Sequence, residues 1–231
     1  MKLLLEIKNI GFFLIFFLVI FTNCKNEVKN ENIRDKETSR VDYLPYYNEE
    51  SFTPNWLIPH TEEEEKFHKI PDFSLTNQLG ETITHNTFDN KIYITDFFFT
   101  SCPGICPQMT GNMLKLQEEF IDYKDVLFLS HSVTPNKDSV SVLKNYSEMN
   151  GIIDGKWHLV TGEKEEIYSL GRDHYFVENN LGEVKSIDDF LHTENFLLID
   201  KKKHIRGIYN GLNRASIAQL IVDVKTLAQE K

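Results

Sequence analysis

The sequence predicts an α/β domain, a central mixed β-sheet flanked by helices, and three observations carry that prediction. Apolar runs of strand length alternate with stretches whose apolar residues recur at three and four positions, which is how strands interleave with amphipathic helices. The periodic part of the chain starts at about Ile70 and spans roughly 160 residues, the size of one domain. Two short strands around a lysine-rich turn, followed by a last amphipathic helix, close the pattern.

Each element has its own signal. Ile92 to Phe99 is an apolar run that reads as a buried strand. Gln108 to Phe120 reads as a helix, because Met109, Met113, Leu116 and Phe120 share one face, and that spacing assigns the two methionines to core packing rather than to a metal. A second buried strand follows from Val126 to Val133, a helix from Ser139 to Met149, a short strand from Trp157 to Val160 and a helix from Lys164 to Leu170. Phe196 to Ile199 and Ile205 to Tyr209 form a hairpin around the solvated turn Asp200-Lys201-Lys202-Lys203-His204. The last helix, from about Ala215, buries Ile217, Leu220, Ile221, Val224 and Leu227.

The first 23 residues stand outside the fold. Lys2 and Lys8 precede an uncharged run from Ile10 to Phe21, too short to span a bilayer but suited to the core of a secretory signal. Cys24 follows immediately and matches the acceptor of a bacterial lipoprotein signal. Residues 24–69 are polar, with Pro45, Pro54, Pro59 and the acidic run Glu62 to Glu65, and read as a lipid-anchored tether. Tyr43, Tyr46, Tyr47, Phe52 and Trp56 interrupt it, so part of it is expected to fold back on the domain at 70–231. The expected location is a bacterial cell envelope, with the domain in an extracytoplasmic space, the periplasm.

Charge narrows the partners. The full chain carries a net charge of −10, and loss of the leader, with Lys2, Lys8 and Glu6, makes it one unit more negative. Nucleic acid and anionic lipid both require basic patches, so neither is an expected partner.

Cys102 and Cys106, in Thr100-Ser101-Cys102-Pro103-Gly104-Ile105-Cys106-Pro107, are the only cysteines in the body of the chain. Two thiols at the mouth of a strand either exchange electrons as a dithiol/disulfide couple or hold a soft metal. A bridge closing so short a loop restrains the unfolded chain little, so it suits a switch better than a staple. Each cysteine precedes a proline, and Pro107 fits the first helical position, so Cys106 is expected to cap the helix and Cys102 to sit in the preceding loop. A helix N-terminus favours negative charge, which predicts a readily formed Cys106 thiolate.

A family resemblance rests on three stretches: the Phe-rich strand ending in Thr-Ser-Cys-Pro-Gly-Ile-Cys-Pro, then Ser132-Val133-Thr134-Pro135-Asn136-Lys137-Asp138-Ser139, then Leu191-His192-Thr193 before Phe196 to Asp200. Over roughly Ile70 to Ala228 the chain resembles the SCO/SenC family of membrane-tethered copper chaperones. The resemblance implies a thioredoxin-like fold, and copper held by Cys102, Cys106 and His192. It also implies delivery to the copper-centre subunit of a respiratory terminal oxidase; a thiol reductant protein is a further expected partner of the cysteine pair. Two departures stand out: the family usually carries an acidic residue where Thr134 stands, and Asp188-Asp189-Phe190-Leu191 differs from its common form. Two thiolates and one imidazole suit Cu(I), and Cu(II) with a further ligand, while zinc could use the same three residues plus water. His131 is the runner-up ligand; His60, His68, His85, His158, His174 and His204 have no motif support.

The competing reading is a thiol-disulfide oxidoreductase that reduces cysteines of the target copper site. Against a general oxidoreductase, the cysteine spacing is one residue longer than Cys-x-x-Cys, and no proline follows Pro135. Against a peroxidase, Phe99 stands three residues before Cys102 and cannot polarise a peroxide.

Overall fold

The computed structural model of the chain describes residues 41–178, 186 and 189–230. The leader and Cys24 lie outside the described residues, and no described helix is long and apolar enough to cross a membrane.

Seven strands make one mixed sheet: β1 (Ser74–Asn77), β2 (Thr82–Thr84), β3 (Ile92–Phe98), β4 (Val126–Ser132), β5 (Trp157–Thr161), β6 (Asn195–Ile199) and β7 (Ile205–Asn210). Their spatial order is β2-β1-β5-β4-β3-β6-β7, with β3, β4 and β5 parallel and the other pairings antiparallel. The helices are α1 (Glu62–Glu65), α2 (Cys106–Glu119), α3 (Val140–Asn150), α4 (Lys164–Ser169), which runs into a π-helical turn (Leu170–His174), and α5 (Arg214–Gln229). Both faces of β3 and β4 are fully buried, as their continuous apolar runs require.

Side-chain alternation divides the interior into two cores. Ile92, Ile94 and Phe98 of β3 meet Met109, Met113 and Leu116 of α2 and Leu220 and Val224 of α5 on one face. Tyr93 and Phe97 meet Phe73, Leu129, Ile167 and Leu191 on the other. The methionines are thus core residues, as their spacing predicts. Ser139 caps α3 by accepting the Val142 N–H, and Gly151 ends it in the left-handed region at φ 73°, where a side chain would be strained.

Two features differ from the sequence pattern. The β1–β2 hairpin sets buried Leu75 opposite buried Ile83, with Asn77 buried at the end of β1 beside Val160 of β5, a short alternation that the sequence reading passed over. The packed structure also starts well before Ile70. Leu44 and Tyr46 are 2% and 1% exposed, and Leu57 is buried. Tyr46 pairs with Asn55, and the Tyr47 N–H donates to the Ile205 carbonyl. Arg206 locks this strap in place. Its guanidinium lies 3.9 Å from the Tyr46 ring centre, donates to the Leu44 and Pro45 carbonyls, and pairs with Asp200 and Glu230. Single apolar anchors among polar and proline residues give no periodic signal, which is why residues 41–69 read as tether.

If the strap is part of the fold, Tyr46→Ala should cost about 3–5 kcal/mol, seen as a lower urea midpoint in equilibrium unfolding of the full chain. A midpoint unchanged from wild type would mean that the strap contributes nothing to stability.

Candidate metal centre

β3 fixes the site, because the chain leaves its last residue, Phe98, and turns directly into the cysteine loop. Cys102 is half-buried in that loop, and Cys106 is buried as the first residue of α2. Ile105, which carries no side-chain acceptor, occupies the cap, with Pro107 in the first turn. The amides at this helix start are therefore left to another acceptor. Burial alone would raise the Cys102 thiol. The Cys106 S–H and the backbone N–H groups of Cys106, Gly104 and Ile105 outweigh burial and leave Cys102 more acidic than an ordinary cysteine. Cys106 goes the other way: burial, then its hydrogen bond to Cys102, pushes its thiol up to about 12.

This corrects the sequence expectation twice. Ile105 and not Cys106 caps α2, and Cys102 and not Cys106 is the readier thiolate. Position at a helix start says that amides are near; it does not say which sulfur they face. Cys106 is turned into the core beside Met109 and Phe98, where desolvation outweighs the helix dipole.

Strand parity also decides His131. It stands on β4 opposite Phe97, stacks on that ring at 4.6 Å, and faces the core away from Cys106. Its Nδ1 meets Thr95 Oγ1 at 3.2 Å, and burial lowers its pKa to about 4, so it is neutral at physiological pH. His204 bonds the His68 carbonyl through Nδ1, His68 the His174 carbonyl through Nε2, and His158 meets Asn77. These rings serve packing and local hydrogen bonds.

His192 is exposed, on the segment leading into β6. Its neighbours are firmly placed. Leu191 is fully buried against Phe97, in space left by Gly171, where an added methyl would come within 2.6 Å of Leu191 Cδ1. Phe190 meets Phe99 edge-on at 5.3 Å, which sets this segment beside the cysteine loop. Arg172 holds the approach, bonding Glu178 at 2.8 Å and the carbonyls of Ser186 and Asp189 at 2.7 and 2.6 Å. Glu178 in turn accepts the His192 N–H at 3.3 Å. Among the described residues, no three His, Cys, Asp or Glu side chains stand close enough to hold a metal. The structure joins the two sulfurs and leaves His192 on the adjoining segment, outside that group.

Two carboxylates near the site escaped the sequence reading. Asp96 lies on the Cys106 face of β3, fully buried, accepting from Ser130 Oγ; burial raises its pKa to about 7. Its one visible signal is a lone acid within an apolar strand. Asp138, also buried, joins the cysteine loop to β4.

The SCO1/SenC family model matches residues 61–229. The chain belongs to the SCO1/SenC family. Among solved structures it is similar to a SCO1/SenC family lipoprotein from Bacillus anthracis, 31% identical with a TM-score of 0.61, covering 70% of this chain and 96% of that one. It is also similar to BsSco, described as a Sco family cytochrome c oxidase assembly protein with a disulfide switch: 27% identity, TM-score 0.60, 71% and 95% covered. A third is Arabidopsis thaliana ScoI with copper bound, at 25% identity and TM-score 0.54, covering 69% and 98%. The seven-stranded sheet with its helices is the thioredoxin-like fold of these proteins.

The thiol asymmetry has a direct readout. As pH rises, the fraction of thiolate grows first at Cys102, so iodoacetamide should label Cys102 of the reduced chain well before Cys106, as located by peptide mass spectrometry. Cys106→Ala removes an S–H donor to the Cys102 thiolate and should move the pH midpoint of Cys102 labelling upward. Equal labelling rates at both cysteines would refute the assignment.

Proposed function

We propose that this SCO1/SenC protein is a membrane-tethered metallochaperone that carries copper as cargo to a respiratory terminal oxidase, gated by the redox state of Cys102 and Cys106. The observation behind this reading is the reduced pair itself: two free thiols in hydrogen-bond contact, one of them inclined to ionise. Paired soft sulfur donors favour Cu(I), and copper is what the similar Arabidopsis ScoI binds. His192 is the proposed third ligand, supported by its exposure and by the Phe190–Phe99 contact that sets its segment beside the cysteine loop. Oxidation to a Cys102–Cys106 disulfide would remove both thiolate donors and block loading; a disulfide switch in the similar BsSco agrees with such gating. Delivery to an oxidase is supported by the same protein's role in cytochrome c oxidase assembly. Tethering through a lipidated Cys24 is supported by the signal-like leader and by the similar Bacillus anthracis lipoprotein.

The unequal thiols also favour a second reading, reduction of a disulfide in the target copper site. The Cys102 thiolate would attack the target's S–S bond, forming a mixed disulfide and releasing one target thiol. Attack by the Cys106 sulfur, with loss of its proton, would release the second. The chain ends as a Cys102–Cys106 disulfide, and the target gains two electrons and two protons.

Anaerobic Cu(I) competition titration of the reduced chain should give one ion per chain, with binding abolished in Cys102→Ser or Cys106→Ser. His192→Ala should weaken it about tenfold or more, which is about 1.4 kcal/mol. Unchanged affinity in His192→Ala would remove His192 from the ligand set, and no binding to the reduced wild type would end the metallochaperone reading. A palmitate analogue should label the protein in cells and fail to label Cys24→Ser; label retained in that variant would refute the anchor.

A further inference from the structure

The strap presents an apolar surface that nothing in the chain covers. Tyr46 and Asn55 exchange N–H···O bonds in both directions at 2.8 Å, and Leu57 is buried, so the residues on either side of Trp56 are pinned. Trp56 itself is turned outward, 55% exposed, and Ile58 is 65% exposed. The order exposed, buried, exposed along Trp56, Leu57 and Ile58 puts the two outward side chains on one side of the strap. Tyr43 meets Trp56 edge-on with ring centres 6.4 Å apart, and Val41, two positions earlier, is also exposed. A tryptophan held in water forgoes the burial of one of the largest apolar surfaces a side chain offers.

The sheet gives this surface a position. The Tyr47 N–H donates to the Ile205 carbonyl, Ile205 pairs with Ile199, and Ile199 with Tyr93. The strap therefore sits at the end where β3 begins, and the cysteine loop at the end where β3 stops. Exposed Tyr123 and Ile153 share the strap's end: their carbonyls accept the N–H groups of Val126 and Trp157, the first residues of β4 and β5.

Chain length limits what can meet this end. Seventeen positions separate Cys24 from Val41, a reach of about 60 Å even at full extension. With the anchor proposed at Cys24, the strap never leaves that distance of a bilayer, and such confinement lets a small contact count for more than it would in free solution. Charge selects the lipid. Asp42, Glu49, Glu62 and Glu63 are exposed along the strap and would repel anionic headgroups. A zwitterionic interface accepts tryptophan, tyrosine and aliphatic side chains without opposite charge.

We infer that the Trp56–Ile58 surface docks in the interface of a zwitterionic bilayer, the membrane that holds the anchor, and thereby turns the cysteine loop away from the lipid. This rests on the tethered reading above, because the anchor supplies the confinement.

The test uses the membrane form of the full chain in phosphatidylcholine vesicles, with and without bromine on the acyl chains, since bromine quenches an indole that enters the bilayer. Trp56 and Trp157 are the two tryptophans. Trp157 is 2% exposed, donates to Ser130 and serves as the internal reference. The Trp56 emission, taken as the difference between wild type and Trp56→Phe, should fall about twofold in brominated vesicles. Ile58→Glu should remove most of that quenching, whereas Val142→Glu, at an exposed site in the first turn of α3, should leave it unchanged. Flotation of the vesicles reports the anchor separately. A chain that floats with Trp56 unquenched would overturn the inference and leave the anchor standing, and so would equal losses in Ile58→Glu and Val142→Glu. A blue shift of Trp56 without bromine quenching would assign the surface to a protein partner or a second copy and overturn it too. A chain that stays off the vesicles would overturn both readings.

Discussion

A helix begins with more amide hydrogens than its own carbonyls can accept, and whatever group takes up the surplus sets the chemistry at that end. In α2 no cap side chain competes for them. The cysteine loop curls back so that the surplus falls on Cys102, while Cys106, one step inside the helix, is spent on packing against Met109 and Phe98. Two chemically identical side chains four positions apart thereby become different reagents: a half-exposed, ionisable sulfur and a buried, protonated one. The metal capture and the disulfide exchange proposed above would both draw on that inequality.

The surroundings are arranged to keep it. β3 and β4 are buried on both faces and share a seven-residue parallel register, so the point where β3 releases the chain is fixed. Gly171 and the Arg172–Glu178 pair fix the segment carrying His192 by a separate route, through Leu191 and through backbone carbonyls. Leu191 is immobilised while the neighbouring imidazole is left at the surface. That combination is what the proposed role of His192 as a third ligand would require.

The strands and long helices were legible because burial on a sheet face or helix stripe leaves a period in the sequence, and β3, β4, α2 and α5 carry strong ones. The closeness of the two cysteines was legible as a motif of residue types, while His192 stands on the adjoining segment, outside that pair. What did not read out depends on direction and on distant contacts. The ranking of the two thiols turns on where three amides point. The role of Asp138 depends on a partner 38 positions away, and the strap on isolated anchors such as Leu44 and Tyr46, each too sparse to stand out from a polar background. The facing of His131 was recoverable, since counting alternate positions from Phe128 puts it on the other side of β4.

The strap has one more consequence. β7 lies at the border of the sheet, and a bare border strand offers unpaired backbone groups to any similar strand it meets. Tyr47 takes the free side of Ile205 in an antiparallel bridge, so the first position of that border is already occupied by the chain itself. At the opposite border β2 is only three residues long. The strap thus covers one end of the β7 border, and the shortness of β2 limits what the other border can offer.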